Sequence, residues 1–231
     1  MRVPGSIPAR VSRRAYPRPV VSVTVERLDT PRGELVLRRD GDHHEVVSNG
    51  TFLMDTRDGR SERELVRAAV RGPGARVLVG GLGVGFSLAE ALALDPAAVT
   101  VVEIEPAVLR WNREHLGQAE LLDDPRVTVV VDDLAGWLGT GDDRYDAVCL
   151  DVDNGPEWTV TVDNAALYGD SGLSAVDRRL APGGRLAVWS AHRAPAFEAT
   201  LRERYPTVET RQVPVARGEP DVVWVVSGPR P

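Results

Sequence analysis

Apolar residues recur along this chain with two different periods, and the change from one to the other divides it. Over residues 20–28, 33–39, 43–48 and 51–54 they come in short β-type runs, separated by Thr30-Pro31-Arg32-Gly33, Asp40-Gly41-Asp42 and Asn49-Gly50. That pattern predicts a small antiparallel β-hairpin unit over 19–60. Ser61, with Glu64 three residues on, predicts a capped helix over 61–71 that Gly72-Pro73-Gly74 ends. From Arg76 onward apolar runs at 99–103, 126–131, 145–151 and 185–190 alternate with helical stretches at 106–116, 134–138, 164–180 and 194–205. Strand alternating with helix predicts an α/β fold, with a mostly parallel sheet and right-handed crossovers over 61–231. Two last β-rich runs, 208–215 and 222–226, have no helix between them and predict an antiparallel closing hairpin. Residues 1–18, rich in Arg and poor in apolar side chains, read as a flexible arm.

The first parallel strand carries the strongest chemical signal. Arg76-Val77-Leu78-Val79-Gly80-Gly81-Leu82-Gly83-Val84-Gly85 is a β-branched run that breaks into glycines before a helix begins at Phe86. Such a loop lets the main chain approach a ligand and leaves helix N–H groups facing it. A dinucleotide fingerprint needs its third glycine at position 86, where Phe86 stands. The alternating glycines instead suit an adenosine-bearing ligand without a pyrophosphate.

Composition narrows the chemistry. All 28 basic residues are Arg, which excludes Schiff-base catalysis, lysine-anchored pyridoxal phosphate and a P-loop lysine. Cys149 stands alone, so no intramolecular disulfide or thiolate metal cluster forms, in keeping with a reducing compartment. No apolar run approaches a membrane span, and the leading residues lack the apolar block of a secretory signal, so a cytoplasmic location is expected. The net charge of −6 is unevenly spread, because Arg2, Arg10, Arg13, Arg14 and Arg18 precede every acid. The acidic body argues against nucleic acid as partner and fits a cationic substrate. No metal constellation is read: His43 and His44 fall in a hairpin and His115 on a helix, and all three are assigned structural roles.

In an open parallel sheet the ligand lies beyond the carboxyl ends of the strands, so the residues just past each strand matter most. Glu103 ends the second parallel strand and suits the two ribose hydroxyls, with Glu105 as the alternative. Asp133, after the third, can take the exocyclic amine of adenine while Leu134 packs on the ring; capping the next helix is the competing role. After the fourth, Asp151, Asp153 and Asn154 stand where the transferable part of the ligand would lie. Asp151 and Asp153 suit an amine nucleophile, first as a cation and then as a proton donor. Trp158 and Tyr168 offer cation–π contact to a cationic ligand or substrate, or else core packing or lid structure. His192 lies past a further strand end and is a candidate pocket residue.

Gly80 to Gly85, Val102-Glu103-Ile104-Glu105, Asp124-Pro125-Arg126-Val127 with Asp132-Asp133, Tyr145-Asp146-Ala147-Val148 leading to Asp151, and Leu180-Ala181-Pro182-Gly183-Gly184 together resemble a class I S-adenosylmethionine-dependent transferase. Within that class they resemble the spermidine synthase family, over about residues 28 to 190 and with Thr30, Gly33 and Glu34 of the hairpin unit included. The resemblance implies a Rossmann-like methyltransferase sheet with an antiparallel last strand. It implies Gly80, Gly81, Gly83, Gly85 and Ile104 beside the cofactor, Glu103 on the ribose and Asp132 with Asp133 at the adenine. Asp151 would then orient or deprotonate the attacking amine, no metal would be used, and the assembly would be a homodimer.

Departures from that family's pattern shape the functional expectation. Its glycine loop reads Gly-Gly-Gly-Asp-Gly-Gly, the aspartate facing the amine of decarboxylated S-adenosylmethionine; here the position is Gly83. An aspartate there would repel the carboxylate of intact S-adenosylmethionine by about 1–4 kcal/mol, so Gly83 favours the intact cofactor. The family's Asp-Ser-Ser-Asp-Pro is replaced by Asp151-Val152-Asp153-Asn154-Gly155-Pro156, and its Tyr-His-Glu by Ser61-Glu62-Arg63. The expected function is transfer of a methyl or aminocarboxypropyl group from S-adenosylmethionine to a small amine-bearing acceptor. The alternatives are a polyamine aminopropyltransferase using the decarboxylated cofactor, an intramolecular cyclisation of the cofactor, and a non-catalytic nucleoside-binding module.

Overall fold

A computed structural model describes residues 22–157, 162–216 and 218–227; the Arg-rich arm over 1–18 and Trp158 fall outside them. Two sheets build the molecule. The first is a meander of β1 (Val23–Thr30), β2 (Gly33–Asp40), β3 (His43–Ser48) and β4 (Thr51–Asp55), antiparallel throughout. Asn49 and Gly50 form the last turn with φ of 50° and 79°, the left-handed pair that a two-residue hairpin demands.

The second sheet has seven strands: β5 (Arg76–Gly80), β6 (Ala98–Glu103), β7 (Val127–Val131), β8 (Tyr145–Leu150), β9 (Leu180–Ser190), β10 (Val208–Val213) and β11 (Asp221–Ser227). Their order is β10-β11-β9-β8-β5-β6-β7, parallel from β9 through β7, with β11 antiparallel to both β9 and β10. The expected α/β architecture and antiparallel last strand are therefore present. Alternation along the strands feeds two cores. Val77, Val79, Val99 and Val101 point to one face, where α1 (Arg60–Ala69), α2 (Phe86–Ala93) and α3 (Pro106–Glu114) pack together with Leu35, Leu37 and Val46 of the meander. Leu78, Val102, Val148 and Leu150 point to the other, under α5 (Leu134–Thr140), α6 (Asp170–Arg179) and α7 (Pro195–Arg204). No helix among the described residues is long and apolar enough to cross a membrane.

Several local expectations are corrected. The capping box is not formed, because α1 starts a residue earlier, at Arg60, with Gly59 as its cap. A Cβ at Gly59 would lie 2.3 Å from the Phe86 ring, so this position has no room for a capping side chain. The Ser61 hydroxyl donates to Glu62 instead, and Glu64 pairs with Arg211. The helix expected over 164–180 is two elements, a 3-10 helix (Val162–Tyr168) and α6, separated at Gly169, whose backbone is extended. β9 already begins at Leu180, and the Ala181-Pro182-Gly183-Gly184 segment is absorbed as an irregularity between the pairs Tyr145–Leu180 and Ala147–Arg185. A short α4 (Ala119–Leu122) precedes β7, which the apolar pattern did not predict.

Candidate active site

Beyond the carboxyl ends of β5, β6, β7 and β8 lies a cavity of about 1420 Å³, lined also by β4, by the start of α1, by residues 214–216, 218 and 219, and by Asp221 of β11. The glycine loop forms its floor. Gly81 (φ 90°) is held on both sides: its N–H donates to Val102 O at 2.9 Å, and a Cβ there would lie 2.1 Å from Asp151 O. Asp151 N–H in turn donates to Gly80 O at 2.8 Å, so the loop and the end of β8 are joined by backbone alone. Gly85 caps α2, and Asn112 of α3, fully buried, donates to Gly83 O at 2.8 Å and to Val108 O at 2.9 Å.

At the β6–β7 end the acids are ordered. Glu103, 7% exposed, accepts from Leu82 N–H at 2.9 Å and from Glu105 N–H at 2.8 Å, which fixes both carboxylate oxygens while burial pushes its pKa up. Glu105 is engaged elsewhere. Arg32, from the turn between β1 and β2, reaches its Oε1 at 2.5 Å and also donates to Ile104 O at 2.9 Å. Asp133 caps α5, accepting from Gly136 N–H at 2.9 Å, and Asp132 accepts from Asp133 N–H at 2.8 Å. Leu134 packs beneath Gly80, where a Cβ would lie 2.4 Å from its Cδ2. Ile104, Asp132, Asp133 and Leu134 all line the cavity.

At the β8 end three carboxylates gather. Asp151 accepts from the Ser87 hydroxyl at 2.7 Å; burial first and then the charge of Asp221 push its pKa up to about 6. Glu62 is pushed up to about 7, by burial and then by Asp151. Asp221 is raised by burial. Asp153, at a left-handed φ of 53°, accepts from Asn164 at 2.8 Å, and Asn154 is buried against the cavity. Glu62 and Asp221 were not singled out in the sequence, and neither were Arg32, Ser87 and Asn112.

Tyr168 does not reach the cavity. It is packed edge-on against Phe197, ring centroids 5.6 Å apart, and its hydroxyl donates to Val152 O at 3.0 Å, so of its expected roles core packing is the one the structure shows. Trp158 lies outside the described residues. Ala191 rather than His192 lines the cavity. Cys149 is fully buried, with its thiol pKa raised by burial. Among the described residues no cluster of His, Cys, Asp and Glu is arranged to hold a metal ion.

Comparison with known proteins agrees with this geometry. The model of the spermine/spermidine synthase domain matches residues 68–190. Polyamine aminopropyltransferase 1 of Streptomyces coelicolor is 36% identical over 137 residues, which cover 57% of this chain and 25% of that protein. The polyamine aminopropyltransferase of Mycobacterium tuberculosis is 35% identical over 163 residues, covering 67% of this chain and 30% of its own length. The chain thus spans about a third or less of the curated relatives it matches. Among solved structures, spermidine synthase in complex with the transition state analogue AdoDATO superposes with a TM-score of 0.74 at 16% identity, over 88% of this chain and 73% of that one. Spermidine synthase from Thermotoga maritima gives 0.69 at 15%, over 88% and 72%. A family model covering more than half of the chain, on a fold with the same neighbours, means that this chain belongs to the spermine/spermidine synthase domain family.

Proposed function

We propose that the chain is a spermidine synthase-type transferase that moves an aminopropyl group from decarboxylated S-adenosylmethionine to an amine. The observation that carries this reading is Asp151, a half-buried carboxylate locked by backbone contact to the glycine loop and oriented by Ser87. Family membership supports the aminopropyl arm over the methyl group, since the relatives named above are polyamine aminopropyltransferases. The methyl-transfer expectation therefore gives way to the alternative stated beside it.

The residues present fit an adenosine-bearing donor: a glycine loop with room for close approach, a buried carboxylate at the end of β6, and Asp133 with Leu134 at the end of β7. In this reading Glu103 holds the ribose, while Asp132, Asp133 and Leu134 hold the adenine. A bound sulfonium supplies a carbon already activated towards nucleophiles. What the protein adds is alignment and an unprotonated amine. Asp151, with its pKa near 6, is ionised enough at neutral pH to attract an ammonium and close enough to neutrality to take its proton.

Gly83 supports a second reading for the donor. A Cβ there would meet only the Met54 sulfur, at 3.4 Å, so the loop is open where an acid would turn away a carboxylate. Calorimetric titration with both forms of the donor, followed by mass spectrometry of the nucleoside product, tests the proposal. Preference for the decarboxylated form with release of methylthioadenosine is the expected result, and S-adenosylhomocysteine as product would overturn it.

A further inference from the structure

α6 carries an arginine where its pattern calls for an apolar side chain. Leu173 and Val176 face the second core, and Arg179 lies on the same buried face of the helix with 1% of its surface exposed. Among the described residues no carboxylate pairs with its guanidinium, and its Nε and Nη1 are buried without an acceptor. An unpaired cation in such a place is costly, and an apolar side chain of similar volume is often neutral or stabilising there. What the guanidinium touches is aromatic and close by. Its Cζ lies 4.3 Å from the centroid of the Trp137 ring and 5.7 Å from that of Tyr145, and a Cβ at Gly141 would stand 2.1 Å from Nη1. Arg179 therefore joins the middle of α5, the cap at the end of α5 and the first residue of β8.

α5 is an element that needs a hold from outside. It has seven residues, two of them Gly136 and Gly139, and so falls below the length and propensity at which a helix keeps its own shape. It follows β7, which is the edge strand of the sheet. Yet its entry carries Asp133 and Leu134, both in the cavity wall. Trp137 N–H donates to Asp133 O at 2.9 Å, so a shift of Trp137 passes through the main chain to Asp133. Resting on the reading that Asp133 and Leu134 hold the adenine, we propose that Arg179 is a positioning residue for the donor: it clamps α5 through Trp137 and Gly141 and fixes where these two residues meet the base. Arg179 is not among the residues that line the cavity, so its effect on the base passes through α5.

Calorimetry on the full chain tests this with two probes, methylthioadenosine and methylthioinosine, the second carrying a carbonyl where adenine has its amine. Wild type is expected to prefer methylthioadenosine by about tenfold or more, because a site built to accept from an amine rejects the analogue without it. Arg179→Met keeps the bulk and removes the charge. It should hold or raise the urea midpoint, lose about tenfold in methylthioadenosine affinity and narrow the preference between the two probes. Gly141→Ala attacks the clamp from the other side: at φ −113° its backbone accepts a side chain, and the new Cβ pushes the guanidinium off Trp137, so the same two losses are expected. A midpoint that holds while the preference fades is a result that a merely structural arginine would not give. Unchanged affinity and preference in the variants, or an equal loss for both probes, overturns the clamp. If Arg179→Met does not fold, Gly141→Ala decides. Wild type that binds the two probes equally takes Asp133 away from the base and the clamp with it, whereas wild type that binds neither refutes the adenosine-bearing donor itself, and the clamp falls as a consequence.

Discussion

Replacing Gly81 by Ala is the sharpest test of how the glycine loop positions Asp151. The new Cβ would lie 2.1 Å from Asp151 O, and the contact must lengthen towards the 3.4 Å at which ordinary van der Waals contact begins. Gly81 cannot slide away, because its N–H is bonded to Val102 O on the opposite side, so the end of β8 has to move. Its φ of 90° adds a penalty of about 1–2 kcal/mol for any L side chain, and the backbone displacement about 1–3 more, so a stability loss of about 2–5 kcal/mol is expected from urea denaturation. Displacing a catalytic group by about an ångström costs on the order of 100-fold in rate, so kcat/KM measured by methylthioadenosine release should fall by about that factor. Gly83→Ala is the control. At φ 55°, with only the Met54 sulfur at 3.4 Å, it should cost about 1 kcal/mol and leave Asp151 in place. A folded Gly81→Ala protein with turnover within about threefold of wild type would refute the claim that the loop fixes this carboxylate.

Other expectations concern charge and support. With Glu62 near 7 and Asp151 near 6 when folded, against about 4 when unfolded, the folded chain binds more protons between those values; stability falls as pH rises through that window and levels off above it. Urea midpoints between pH 4.5 and 7.5 should show Glu62→Gln with a shallower fall than wild type, and identical slopes would count against a protonated Glu62. Arg32→Ala removes two charged hydrogen bonds that pin the β1–β2 turn to Glu105 and Ile104, and should cost about 1.5–3 kcal/mol of stability with weaker methylthioadenosine binding by calorimetry. Asn112→Ala removes the side-chain donor to Gly83 O in a fully buried site, while Val108 O keeps its helical backbone donor; a loss of about 1–3 kcal/mol is expected, and a loss under about 0.5 would show that the loop needs no brace from α3.

The parallel sheet was legible because its alternation is double: Val77 and Val79 serve one core and Leu78 the other, so the strands read as continuous apolar runs. Glu103, Asp133 and Asp151 were legible for a topological reason, since the ends of parallel strands share one edge of the sheet. Asp133 shows the limit of that argument, because its strand-end position and its cap position are one residue and the structure displays the cap directly. Asp221 was invisible and Glu62 entered only as part of a departure from the family's Tyr-His-Glu: 62, 151 and 221 meet only through the strand order, which local periodicity does not encode. Tyr168 was ambiguous because it ends a 3-10 helix, whose period differs from the helical one assumed for that stretch. The Ser61 box did not form because α1 starts at Arg60, with Gly59 as its cap against the ring of Phe86, a residue 27 positions further on.

β11 is made after β10 but lies between β10 and β9, which sets an order of assembly. During synthesis β9 has to wait with one edge unpaired, and β10 has nothing to dock against until residues through Ser227 have emerged. Asp221 arrives with that same strand. A ribosome-bound chain can therefore present its glycine loop before Asp221 has joined the wall of the cavity beside it.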